Sequence, residues 1–209
     1  MQNSLPLKAL FLDIGGVFLT NGWDRRARAE AAGKFSLDLA ELNERHHIIF
    51  DAFEAGKMTF DDYLDLLVVN VTPYPKEALR EFIYQQSHAF PEMISFIRKV
   101  KQDHGLKLIA VNNEARELND YRIKQFGLDT FIDAFVSSCY VHVRKPDQQI
   151  YQYALDIGHL RKEEVIYIDD RLVFIQAAQR LGIEGIQHVS LEGTRRALEE
   201  RISRVPVSG

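Results

Sequence analysis

The chain has 209 residues, a formal net charge of −4 and an apolar fraction of 46%; that is enough for a core, and dispersed charges of both signs argue against a nucleic-acid partner. Its single cysteine, Cys139, excludes an internal disulfide framework and fits a reducing compartment. No apolar run approaches the roughly 18 residues of a membrane span, and Met1-Gln-Asn-Ser-Leu-Pro6 lacks the basic and apolar regions of a signal peptide, so a cytoplasmic protein with no membrane partner is expected.

Ala9 to Leu12 is an unbroken apolar run with no alternation, the pattern of a central strand in a parallel sheet, covered on both faces. It runs into Asp13 and then Gly15-Gly16, which can turn sharply. From Thr20 to about His88 only helical periodicities follow. Thr59-Phe-Asp-Asp62 reads as a capped helix start with Phe60, Leu64 and Leu67 on one face, and Pro75 opens another helix with Leu79, Phe82 and Ile83 behind it.

From Phe90 the pattern becomes α/β. Pro91 to Gly105 is a helix, Leu106 to Val111 a strand ending in Asn112-Asn113, and a further helix stops at Gly127. Phe131 to Val136 is a strand, and Lys145-Pro-Asp147 starts a helix with Pro146 in its first turn. Val165 to Ile168 is a buried strand ending in Asp169-Asp170, the next helix ends at Gly182, Gly185 to Val189 is the last strand, and a helix from Thr194 to Ile202 follows. Strand, helical insert, then helix–strand repeats make an α/β protein, a doubly wound parallel sheet with an inserted helical cap.

Three strands thus end in polar groups: Asp13, Asn112-Asn113 and Asp169-Asp170. In a parallel sheet those ends share one edge, where Lys145 can join them. Crowded carboxylates stay ionised only with cations between them, here Lys145 and a hard divalent metal. Oxygen ligands without thiolates or a histidine cluster favour Mg²⁺.

With these residues assembled, the chain resembles the haloacid dehalogenase superfamily over nearly its whole length. The motifs stand as Phe11-Leu-Asp13-Ile-Gly15-Gly-Val17, Ile109-Ala-Val-Asn112-Asn113, Arg144-Lys145-Pro-Asp147 and Ile168-Asp169-Asp170-Arg171. The Asp-x-Gly start and the loop Glu54-Ala-Gly-Lys-Met-Thr59 are similar to the glucose-1-phosphatase-like and epoxide-hydrolase N-terminal-like branch. The resemblance implies a Rossmann-like core at 1–19 and 89–209 and an all-helical cap at 20–88.

It also implies roles. Asp13 would be the nucleophile, forming an aspartyl-phosphate. Mg²⁺ would be held by Asp13, the Gly15 carbonyl and Asp170, with Asp169 behind them. Lys145 would neutralise the nucleophile and the transferring phosphoryl group, and Asn112 and Asn113 would help to bind phosphate.

Two positions depart from the phosphatase pattern. Gly15 replaces the usual second Asp of the first motif, the general acid/base, whose work is worth ~10²–10⁴ in rate. Asn112 stands where the family has Ser or Thr. His46 and His47 are candidate substitute acids, set against the plainer reading of a solvated helix face. The expected function is a Mg²⁺-dependent phosphatase of a small phosphorylated metabolite. The alternative is a catalytically weakened protein of the same fold that binds a phosphorylated ligand or a protein partner. Carbon–halogen hydrolysis, which also uses an Asp nucleophile, fits less well because that branch has Tyr where Gly15 stands. Trp23, Phe50, Phe53, Lys57 and Tyr63 are the candidates for choosing the substrate. Oligomeric state is not readable.

Overall fold

The computed structural model describes residues 6–69 and 74–203; the reading of residues 1–5 as lacking a signal sequence lies outside them. β1 (Ala9–Leu12), β2 (Lys107–Asn112), β3 (Ala134–Ser137), β4 (Val165–Asp169) and β5 (Glu184–Gln187) form one parallel sheet in the order β3-β2-β1-β4-β5. β1 is central, with Leu10 paired to Leu108 on one side and to Ile166 on the other.

Side chains of successive strand residues point to opposite faces, and both faces are covered. Leu10 and Leu12 pack with Met93 and Ile97 of α5 (Pro91–His104) and Leu198 of α10 (Leu191–Ser203). Ala9 and Phe11 pack with Tyr151 and Ala154 of α8 (Gln148–Gly158) and Ile175 of α9 (Leu172–Arg180). The unbroken apolar run of β1 follows from this double burial.

Between β1 and α5 the chain forms α1 (Arg25–Phe35), α2 (Leu39–Glu54), α3 (Phe60–Leu67) and α4 (Lys76–Gln85). Thr59 and Asp62 close the reciprocal cap expected of α3. These helices share an apolar cluster that includes Phe53, Tyr63 and Leu64, completed by Leu118 of α6 (Arg116–Gln125). The two connections to the sheet run side by side: Thr20 N–H donates to His88 O at 2.9 Å and Phe90 N–H to Phe18 O at 2.7 Å.

Several boundaries differ from expectation. β3 starts at Ala134 because a short 3₁₀ turn, Leu128–Thr130, precedes it and sends Phe131 and Ile132 into the core. The helix after Lys145 starts at Gln148, capped by Asp147, whose carboxylate accepts from Gln149 N–H; Pro146 therefore precedes the helix, following a cis peptide bond. Among the described residues no helix is long and apolar enough to cross a membrane.

Candidate active site

The strand order reverses beside β1, so the carboxyl ends of β1 and β4 flank a crevice. Asp13 follows β1, while Asp169 ends β4 with Asp170 next. One oxygen from each lies within 4.8 Å of the others. Gly16, at φ 73°, passes directly against Asp170, where a Cβ would lie 2.3 Å from Asp170 Oδ2. Only glycine permits that approach.

Lys145 comes from the segment between the short α7 (Ser138–Val141) and α8. Its Nζ stands 2.7 Å from Asp169 Oδ2 and 3.1 Å from Asp13 Oδ1. Burial works against its charge, but the two carboxylates outweigh burial and hold its pKa above the ordinary value.

The three acids are not equivalent. Asp169 is saturated: Oδ2 accepts from Lys145 and from the Tyr167 hydroxyl, and Oδ1 from Arg171 N–H at 2.7 Å. Asp13 uses Oδ1 for Ile14 N–H at 2.8 Å and for Lys145, leaving Oδ2 without a protein partner among the described residues. Asp170 Oδ1 is buried with no partner among the described residues, and Asn21 reaches Oδ2 at 3.5 Å. Burial raises Asp13 to about 7, against the pull of Lys145 and with repulsion from Asp169 and Asp170 added. Burial, then Asp169, also raises Asp170. Two unfilled carboxylate oxygens and mutual repulsion suit a hard divalent cation.

Asn113 grips the Lys145 backbone at both ends, its Oδ1 accepting from Lys145 N–H (2.8 Å) and its Nδ2 donating to Lys145 O (3.0 Å). A cavity of about 120 Å³ lies over these groups. Asp13, Gly15, Asn113 and Lys145 line it from the sheet side; Trp23, Phe50 and Glu54 line it from the helical insert. Arg122, buried beneath, pairs with Glu114 at 2.5 Å.

A family model for haloacid dehalogenase-like hydrolases matches residues 7–182. The chain belongs to this family. The hydrolase is 26% identical to the sesquiterpene phosphatase astK of Aspergillus oryzae over 86% of this chain and 88% of that one. It is 24% identical to the drimenol cyclase drtB of Aspergillus calidoustus over 86% of this chain but only 34% of that longer protein. In fold it is similar to an HAD family enzyme of Bacteroides thetaiotaomicron crystallised with magnesium and inorganic phosphate. The TM-score is 0.69 at 18% identity, covering 87% of this chain and 93% of that one.

Of the sites expected in this hydrolase, Asp13, Gly15, Asn113, Lys145, Asp169 and Asp170 meet at one sheet edge. Asn112 does not join them. Its Nδ2 donates to Asn119 and its Oδ1 accepts from Ser137 Oγ at 2.8 Å, so its amide is spent in a buried trio away from the cavity. His46 is also elsewhere. Trp23 Nε1–H donates to the Tyr63 hydroxyl (2.7 Å), which leaves the hydroxyl hydrogen for His46 Nδ1 (2.7 Å). Burial, with Arg28 and His47 nearby, drives His46 down to about 3, so it stays neutral and donates no proton at neutral pH. Of the candidate selectors, Trp23 and Phe50 reach the cavity, while Phe53 and Tyr63 stack on each other in the helical core with centroids 3.9 Å apart.

Several groups at the cavity carry no role in the sequence reading, Glu54, Arg144 and Glu114 among them. Glu54 and Arg144 stood inside quoted motifs, but their pairing spans 90 residues and has no local signature.

Proposed function

We propose that this hydrolase is a Mg²⁺-dependent phosphatase of a small phosphorylated metabolite, working through an aspartyl-phosphate on Asp13. The observation that carries it is a close cluster of Asp13 and Asp170 in which Asp13 Oδ2 and the buried Asp170 Oδ1 have no partner among the described residues, with a buried lysine on Asp13 Oδ1. Residues 20–88 act as a cap and the remainder as the core. The paired hydrogen bonds at 18–20 and 88–90 suit a two-stranded stem between them.

The donor set fits a hard cation. Asp13, the Gly15 carbonyl and Asp170 would hold Mg²⁺, which when bound would offset the charge of the acids and of the transferring phosphoryl group. The Bacteroides neighbour with magnesium and phosphate supports that choice, as does the phosphatase relative. Asp169 fixes Lys145 in place; Lys145 faces the charge that builds on the phosphoryl oxygens as Asp13 attacks. Asn113 sets the height of Lys145 through its backbone. Asn112 supports β2 and β3 from inside.

Drug-sized ligands occupy pockets of about 300–1,000 Å³. A cavity of about 120 Å³ lined largely by charged groups favours a small polar leaving group over a long apolar one. The buried lone cysteine suits a cytoplasmic setting. A panel of phosphorylated metabolites, assayed with and without Mg²⁺ and with Asp13→Asn as the blank, tests this reading. Mg²⁺-dependent phosphate release lost in Asp13→Asn is expected. Tight binding of a phosphorylated compound with no turnover of any would favour the weakened binding protein instead.

A further inference from the structure

Position 15 is glycine, so the acid/base that would protonate a leaving oxygen must stand elsewhere if the phosphatase reading above holds. Among the described residues that line the cavity, four are carboxylates, Asp13, Asp24, Glu54 and Glu114, with Asp170 nearby in the acidic cluster. Glu114 is used up, with Oε2 on Arg122 at 2.5 Å and Oε1 accepting from Ala115 N–H at 3.1 Å. Asp24 is exposed and caps α1 through Ala27 N–H.

Glu54 differs from both. Arg144 donates to it through Nε (2.8 Å) and Nη2 (2.5 Å), and both contacts fall on Oε2. Oε1 has no protein partner among the described residues. The backbone beneath this side chain is clamped to the core. Ser138 Oγ donates to Glu54 O at 2.6 Å, His142 Nδ1 donates to Ala55 O at 2.8 Å, and Gly56 sits so close to Cys139 that a Cβ would lie 2.3 Å from its carbonyl oxygen. Three consecutive residues at the end of α2 are therefore docked on the segment that leads to Lys145. This docking fixes Glu54 at the cavity that Asp13 also lines.

We infer that Glu54 is the general acid and base of this hydrolase, supplied by the helical cap in place of the residue missing at position 15. In the first step a carboxylate oxygen of Asp13 bonds to phosphorus, the bond from phosphorus to the leaving oxygen breaks, and that oxygen takes the proton from Glu54 Oε1. In the second step a water oxygen bonds to phosphorus and the bond to Asp13 breaks. One water proton goes to Glu54, and the other stays on the released phosphate. Both residues return to their starting states.

The surroundings suit that work. Burial raises Glu54 to about 7 and Glu114 adds to the rise, while Arg144 and Arg171 oppose it and Asp51 shares Arg144. An acid poised there can give and regain a proton near neutral pH.

The test compares wild type with Glu54→Gln on phenyl phosphate and para-nitrophenyl phosphate, substrates of similar shape whose leaving groups differ in acidity. The quantity is kcat/KM, which reports phosphoryl capture alone. The expected loss is ~10²–10⁴-fold on phenyl phosphate and only a few-fold on the nitrophenyl ester, with the basic limb of the pH profile gone. Glu54→Asp, which keeps a proton, should restore part of the difference, and matched thermal melts establish that the variants fold. Equal losses on both esters, or none on either, would overturn the role of Glu54 while leaving the phosphatase reading intact. No turnover of either ester or of the metabolite panel by wild type would overturn both.

Discussion

Asn113 and Lys145 hold each other through a two-way amide grip, with Asn113 Oδ1 2.8 Å from Lys145 N and Asn113 Nδ2 3.0 Å from Lys145 O. A residue just past β2 thus sets where a cation on a distant loop stands relative to Asp13. Asn113→Ala removes both bonds, each worth about 1 kcal/mol net. Turnover should fall by up to ~10², mostly in kcat, because misplacing a charge by about an ångström costs that much. Steady-state kinetics beside a denaturant melt check it. Unchanged kcat would show that Lys145 is placed by Asp169 alone.

Asp170→Ala tests the metal set. Mg²⁺ affinity by calorimetry should fall by more than the roughly 10–100-fold that an outer partner costs. The same variant should unfold no more easily than wild type when metal-free, since it removes a carboxylate crowded against Asp169. Mg²⁺ binding that survives Asp170→Ala would place the cation elsewhere.

Gly15→Asp asks for a rescue. Gly15 is outside the left-handed region, and the nearest atom to a Cβ there is Asn21 Oδ1 at 3.0 Å, on a side chain that can shift; Asn21 Cα at 3.8 Å and Arg122 Nη1 at 4.0 Å are ordinary contacts. In Glu54→Gln, adding Gly15→Asp should raise turnover of poor leaving groups at the low end of the ~10²–10⁴ range. In wild type it should change little. A large gain in wild type would mean that Glu54 is not supplying the proton.

The helical insert should lose stability in acid through His46. Its folded pKa of about 3 lies below the ordinary 6.5, so the folded state refuses a proton that the unfolded chain accepts. As pH falls from 6.5 toward 3, this one group lowers unfolding free energy by about 1.4 kcal/mol per pH unit. Glu54, raised to about 7, acts oppositely: its contribution is present below the unfolded value and is lost as pH rises through 7. Denaturant melts of wild type and His46→Gln across this window isolate the His46 slope. Identical slopes would show that His46 titrates normally.

Much of this arrangement was legible because it is local. Four apolar residues before Asp13 specify a strand buried on both faces, and the acids at strand ends follow from parallel pairing. The capping box at Thr59 was readable for the same reason. What was not legible depends on which way a side chain turns once the chain is folded. Asn112, the last residue of β2, turns into a buried trio with Asn119 and Ser137. His46 turns into the helical core to meet Tyr63. Glu54 and Arg144 become partners only when the insert docks on the sheet edge.

The most direct measurement is mass spectrometry of the hydrolase acid-quenched during turnover of para-nitrophenyl phosphate with Mg²⁺. The account expects the mass of one phosphoryl group on the peptide that carries Asp13, absent without Mg²⁺ and absent in Asp13→Asn. Phosphate release that persists in Asp13→Asn, or turnover with no phosphoryl group ever found on that peptide, would contradict it.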